Sequence, residues 1–181
     1  MRLYGNGLTV QELVDEHHAA LYRYAYRLAG AAAEADDLTQ ETFCKAFAKL
    51  DQLRDPSRAK PWLFSILRNA YLHRHRERKR AQEVSFGEVG DVAEPEGELP
   101  VVDVEPAQLQ SALNQLAEEF RTPLILFYFE DFSYRDIAEQ MEVPLGTVMS
   151  RLARAKSYLR ARLTEPEAVQ GGPAHRGRPI P

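Results

Sequence analysis

The stretch Ser133-Tyr-Arg-Asp-Ile-Ala-Glu-Gln-Met-Glu-Val-Pro-Leu-Gly-Thr-Val-Met-Ser-Arg-Leu-Ala-Arg154 decides how this chain is read. Ser133 suits the N-cap of a short helix, because its hydroxyl can accept from a backbone N–H that the first turn leaves open. Ile137, Ala138 and Met141 supply that helix with an apolar face, and the small Ala138 lets a second helix cross closely. Val143 fills the turn. Pro144 fits the first position of the next helix, where its missing N–H costs little. In that second helix Val148, Leu152, Ala155 and Leu159 fall on one side. At about 100° per residue the opposite side shows Gly146, Thr147, Ser150, Ala153, Arg154 and Ser157, with Arg151 and Lys156 at its edges. A helix that enters the DNA major groove needs such a face: short residues for close approach and arginine for guanine or phosphate. The five-residue steps from Ala138 to Val143 to Val148 are those of a helix-turn-helix.

Outward from this motif the charge is segregated. The net charge of −4 is unusual for a DNA binder. However, Lys60 to Arg80 holds seven cations against Glu77 alone, and Ala81 to Glu105 holds eight carboxylates with no Lys or Arg. The basic block suits phosphate, and the acidic block repels phosphate or imitates it on a basic surface. Hydrophobic content of 44% and charged content of 28% are those of a soluble globular protein. The chain has neither an apolar run long enough to span a bilayer nor a signal-peptide core at Met1 to Gly7, so a cytoplasmic location without membrane insertion is expected. The single cysteine, Cys44, excludes an internal disulfide and a multi-cysteine zinc site within one chain.

The pattern predicts an all-α chain. One helix runs from about Thr9 to Leu28, with Leu13, Val14, His17, Leu21, Tyr24 and Leu28 at three- and four-residue steps and Gly30 as its stop. A second, from about Ala33 to Leu50, is expected to bury Phe43, Ala46, Phe47 and Leu50. That leaves Leu38 on the polar face among Glu34, Asp37, Glu41 and Lys45, where a lone apolar residue is more often incidental than a docking point for another protein. A turn spans Asp51 to Ser57. A third helix starts near Lys60 and is expected to bury Trp62, Leu63, Ile66, Leu67 and Ala70, with Trp62 as a core anchor. Further helices are expected over Pro106 to Leu116, Glu118 to Phe129, Ser133 to Gln140 and Pro144 to Leu163. The Glu-, Gly- and Pro-rich stretch between the halves reads as an extended tether. The tail from Thr164 carries Gly171, Gly172 and four prolines and reads as unstructured. The expected organisation is two small helical domains, 1–80 and 106–163, joined by a flexible acidic linker at 81–105 and followed by a tail at 164–181.

The run Tyr134 to Ala138 followed by Val143 to Arg154 resembles region 4 of the extracytoplasmic-function (ECF) sigma factors, a group of bacterial RNA polymerase sigma factors. The resemblance implies a four-helix domain whose last helix reads the minus-35 promoter element through Thr147, Ser150, Arg151, Arg154 and Lys156. Where the family often has Lys or Arg, this chain has Met149, which removes a phosphate contact or shifts sequence preference. Asp36-Asp-Leu-Thr-Gln-Glu-Thr-Phe43 resembles the part of region 2 that binds the β′ clamp of core polymerase, which implies contacts at Asp37, Leu38, Gln40 and Glu41. Trp62-Leu-Phe-Ser-Ile-Leu-Arg-Asn69 resembles the part that reads the minus-10 element. The loop before it, with Arg54, Asp55, Ser57 and Arg58, matches the positions that capture a flipped base, and Arg68, Asn69, Arg74 and Arg76 extend along the helix toward phosphate. His73 stands where the family usually has Asp. The resemblance covers residues from about 9 to 163. It implies a transcription initiation factor without enzyme activity, cofactor, metal or small-molecule substrate. Its implied partners are core RNA polymerase (β′ clamp and β flap), promoter DNA and an anti-sigma factor.

Two other readings are open to the residues alone. A DNA-binding regulator that needs no polymerase explains the helix-turn-helix and the basic run, but neither Leu38 nor the acidic tether. An enzyme would need chemistry that is not legible here. His17, His18, His73 and His75 lack partners at metal-ligand spacing, and no phosphate-binding glycine loop or nucleophile motif occurs.

Overall fold

The computed structural model describes residues 9–81 and 104–164. The acidic tether between them and the tail after Thr164 fall outside the described residues, apart from their end residues. Seven helices are present among the described residues: α1 (Val10–Ala29), α2 (Ala32–Ala48), α3 (Ala59–Ala81), α4 (Pro106–Gln115), α5 (Glu118–Glu130), α6 (Tyr134–Met141) and α7 (Leu145–Thr164). Two short 3-10 turns, Leu50–Gln52 and Pro56–Arg58, join α2 to α3.

The ends of α1 are set by local chemistry. Thr9 and Glu12 form a reciprocal capping box, with Glu12 N donating to Thr9 Oγ1 at 3.2 Å and Thr9 N donating to Glu12 Oε2 at 2.8 Å. At the other end Gly30 adopts the left-handed conformation, φ 77°, and its N–H donates to Tyr26 O.

Helix α2 buries a different face from the expected one. Leu38 is fully buried, together with Ala35, Thr39, Thr42 and Ala46, while Phe47 is 54% exposed and Phe43 only half-buried. The expectation of an exposed Leu38 is therefore corrected. Two threonines misdirected the reading. Their hydroxyls donate to carbonyls one turn back, Thr39 to Ala35 O and Thr42 to Leu38 O, each at 2.7 Å. This internal pairing lets polar side chains enter the core without an open hydrogen bond. Phe43 instead lies parallel to the His18 ring, centroids 6.0 Å apart.

Helix α3 also presents a different face from the expected one, rotated in the opposite sense. Leu63, Leu67 and Ala70 are buried as expected, but Phe64 and Tyr71 join them, while Trp62 and Ile66 are half-buried. Trp62 is thus not the core anchor. The reason is that α3 packs on two sides. Alpha-helices α1 and α2 cover one flank, and Phe64 reaches past them to stack between Tyr24 of α1 (4.9 Å) and Phe132, just beyond α5 (5.1 Å). In the second half α5 is buried almost continuously from Arg121 to Leu126, because α1 and α7 both pack on it.

The two halves consequently meet in one seam. Gln110 Nε2 donates to Arg27 O at 3.2 Å, and Lys60 Nζ donates to Glu130 O at 2.6 Å. Arg121 donates to the Tyr71 hydroxyl, and the Arg27 guanidinium lies 4.2 Å from the centre of the Phe129 ring. Buried polar atoms in this seam without a hydrogen bond include Tyr24 Oη, Arg68 Nε, Arg121 Nε and both amide atoms of Gln140.

Burial makes Leu38 a stability residue. Leu38→Ala is expected to cost about 2–5 kcal/mol in urea unfolding. Leu38→Asp, which places a carboxylate in that core, should leave no cooperative transition. A native-like melt of the Asp variant would show that α2 is not packed as described.

Candidate nucleic-acid interface

The basic residues collect along a cleft of about 730 Å³ between the α2–α3 loop, the outer face of α3 and α6. The loop is pre-shaped. Asp55 caps the second 3-10 turn, its carboxylate accepting from Ser57 N at 3.0 Å and from Ser57 Oγ at 2.8 Å. These hydrogen bonds from Ser57 hold the Asp55 carboxyl below its ordinary range. Arg54, Asp55, Arg58, Arg68, Asn69 and Arg76 all line the cleft, so the structure brings six of the eight residues expected to read the minus-10 element onto one surface. Ser57 stands beside them through Asp55. Arg74 does not join them: it turns to α2, where it pairs with Glu41 and lies 3.8 Å from Asp37. Half-buried Trp62 forms part of the cleft wall.

Helix α6 covers the opposite side of this cleft with acid. Arg58 lies 3.5 Å from Asp136 and 2.7 Å from Glu139. Arg68 lies 3.5 Å from Glu118, and its Nη1 donates to Gln140 O at 3.4 Å. Two cations expected to read the minus-10 element are therefore held by carboxylates of the other half.

The α2 surface keeps only part of its expected set. Asp37 and Gln40 are exposed. Glu41 is half-buried and fixed by Lys45 at 2.6 Å and by Arg74, and these partners, Lys45 foremost, hold its carboxyl below the ordinary range. Leu38 lies beneath them in the core and offers no contact.

The helix-turn-helix has the local geometry its sequence predicts. Ser133 accepts from Asp136 N at 3.2 Å, and Glu142 takes the left-handed conformation, φ 56°, to end α6. Val143 N then donates back to Ala138 O at 3.1 Å, and Pro144 O accepts from Thr147 N and Val148 N to start α7. Val148, Leu152, Ala155 and Leu159 are buried. Outward lie Ser150 and Arg154, with Thr147 and Lys156 half-exposed. Arg151 is half-buried and paired with Glu119 at 2.9 Å. Ser157 is a correction: it is buried at the α7 packing face. The motif also exposes two residues that sequence reasoning did not assign as contacts, Leu145 at 49% and Met149 at 53%.

Family models match both halves: Sigma-70 region 2 over residues 13–81 and Sigma-70, region 4 over residues 107–159. The chain belongs to the ECF sigma-factor family. It is 36% identical over 159 residues to ECF RNA polymerase sigma factor SigE of Mycolicibacterium smegmatis, covering 82% of this chain and 59% of that protein. It is also 36% identical over 155 residues to ECF RNA polymerase sigma factor EcfG of Rhodopseudomonas palustris, covering 85% of this chain and 84% of that protein. Among solved structures it resembles the sigma factor RpoE from Bartonella quintana, crystallised in complex with the anti-sigma factor NepR, with TM-score 0.70 and 31% identity over 84% of this chain and 95% of that one.

In this sigma factor α2, α3 and the loop between them belong to region 2, and α6 and α7 belong to region 4, so the cleft lies between the two regions. Among the described residues no cluster of His, Cys, Asp and Glu is placed to hold a metal ion, and no helix is long and apolar enough to cross a membrane.

The seam between the regions carries a titratable group. Burial raises the Glu130 carboxyl above its ordinary range, outweighing the opposing pull of Arg27, whose Nη1 lies 3.6 Å from Glu130 Oε1. A carboxyl raised in the folded state binds its proton more tightly there, so it favours the packed form as pH falls and opposes it as pH rises. Glu130→Gln should remove that contribution. The stability difference between this variant and the native chain is expected to widen, in favour of the variant, from mildly acid to neutral pH. A difference that is flat with pH would mean that Glu130 titrates normally.

Proposed function

We propose that this chain is a sequence-specific transcription initiation factor that binds core RNA polymerase and directs it to promoters carrying minus-10 and minus-35 elements. It acts in the cytoplasm, and it acts by binding rather than by catalysis. The observation that carries this reading is the presence of two candidate surfaces in one chain: a pre-shaped loop on an arginine-lined cleft and the outward face of a helix-turn-helix.

Residues 1–80 bind polymerase and read the minus-10 element, and residues 106–163 read the minus-35 element, joined by the acidic linker at 81–105. Arg54, Asp55, Ser57 and Arg58 receive the flipped base, while Arg68, Asn69 and Arg76 follow the phosphates. Arg74 acts through α2, where it fixes Glu41. Asp37, Gln40 and Glu41 meet the β′ clamp, and Leu38 supports that surface from the core. Thr147, Ser150, Arg151, Arg154 and Lys156 face the upstream element, with Arg151 leaving Glu119 to do so.

Both cleft and recognition helix must be open for this work. The pairing of Arg58 with Asp136 and Glu139 supports the reading that the packed arrangement is a resting one, from which the regions part when polymerase and promoter engage. An anti-sigma factor would act by holding it there. The similarity to an RpoE structure solved with NepR supports such control.

Run-off transcription with core polymerase on a promoter library tests the reading. Promoter-specific transcripts are expected with core polymerase and the chain together, and with neither alone. Arg154→Ala should weaken upstream recognition by about 1–3 kcal/mol if the guanidinium meets a base. Asp37→Asn should lower affinity for core polymerase with little change in the melt, because Asp37 is exposed and its contact with Arg74, at 3.8 Å, is long and solvated. Specific duplex binding by the chain alone, with no stimulation of transcription, would favour a polymerase-independent regulator instead.

A further inference from the structure

Leu145 and Met149 stand four residues apart on α7, so they share one helix face as neighbours. Each keeps about half of its surface in water, at 49% and 53%. One exposed leucine means nothing by itself. Two large apolar chains side by side in the first turns of a recognition helix form a surface, and their surroundings say what it suits.

At about 100° per residue, Gly146, Ser150 and Ala153 form a strip of small residues next to the apolar pair, with Arg154 beyond it. A Cβ at Gly146 would meet no atom within 4 Å and Ser150 is exposed, so the strip is open at its N-terminal end. The strip allows a duplex to come close, and the arginine marks the polar border. What meets the apolar border must itself be apolar and lie in the groove. The major groove offers one such group, the C5-methyl of thymine. Phosphate has no affinity for Met or Leu.

We propose that Leu145 and Met149 are specificity-determining residues that pack against thymine methyl groups of the upstream promoter element. The inference rests on the initiation-factor reading above and deepens it. Its physical core is modest. Withdrawing one methyl from water against an aliphatic side chain carries about fourfold in affinity.

The test uses the full chain with core polymerase and a promoter selected from randomised upstream elements. Each thymine of that element is replaced in turn by deoxyuridine, which removes the methyl and nothing else. With the native chain, deoxyuridine at one or two positions should weaken promoter binding about fourfold each. Met149→Ala should bind the thymine promoter with about the same loss, and deoxyuridine at the matching position should then cost it nothing further. Met149→Leu should keep the thymine preference. Both side chains are exposed, so these variants are expected to fold. If the native chain is indifferent to deoxyuridine everywhere, or if Met149→Ala retains the full penalty, the inference falls. A Met149→Ala defect in binding core polymerase that persists without promoter would also overturn it, since the pair would then be a protein contact. Failure of the native chain to select any promoter is a different result: it removes the initiation-factor reading and this inference with it.

Discussion

Phe64 is the residue on which the two halves depend. It belongs to α3, yet its ring lies between Tyr24 of α1 and Phe132 after α5, at 4.9 and 5.1 Å. Offset aromatic pairs of this kind add about 0.5–1.5 kcal/mol beyond the area they bury. Closing the stack also draws Arg27, Lys60, Arg68, Arg121, Glu130 and Gln140 into the seam. Some of their groups find partners, but Arg68 Nε, Arg121 Nε and the Gln140 amide do not. A buried polar atom left open costs about 1–3 kcal/mol. The seam is therefore favourable at its aromatic centre and costly around it. Such a contact persists when nothing competes and yields when something does, which suits a protein proposed to work with its halves apart.

The parts of the structure legible from sequence are those governed by local rules. The Thr9 box, the Gly30 stop, the Ser133 cap and the steps from Ala138 to Val148 follow from chemistry within a few residues, and all occur. What local rules missed was orientation. In α2 the aromatic rings looked like the core, but Thr39 and Thr42 can satisfy their own hydroxyls, so Leu38 went inward and Phe47 outward. In α3 Trp62 looked like the anchor, but a helix packed on two flanks buries a wider arc, and Phe64 took that place. Both errors trace to tertiary partners that lie far away in sequence.

The candidate sites divide the same way. Arg54, Asp55, Arg58, Arg68, Asn69 and Arg76 share one cleft, because they lie on one loop and one helix face. Arg74 left the minus-10 set for carboxylates on α2, and Ser157 is absent from the outward face of α7 because that helix packs more of its circumference than one stripe. Pairings across the seam, such as Arg58 with Glu139, join residues 81 positions apart and have no local signature.

Those pairings bear on how salt acts on the molecule. A free arginine that meets DNA displaces a cation from the phosphate atmosphere, and affinity then falls steeply with ionic strength. Arg58 and Arg151 already hold carboxylates, Glu139 and Glu119. If either moves to DNA as proposed, its carboxylate partner is given up for the polyanion, and the abandoned carboxylate gathers counterions of its own. The ions released at the duplex are partly recaptured on the protein. On the proposed roles of these arginines, the apparent charge that the chain presents to DNA is smaller than a count of its arginines, and its affinity is correspondingly less sensitive to ionic strength.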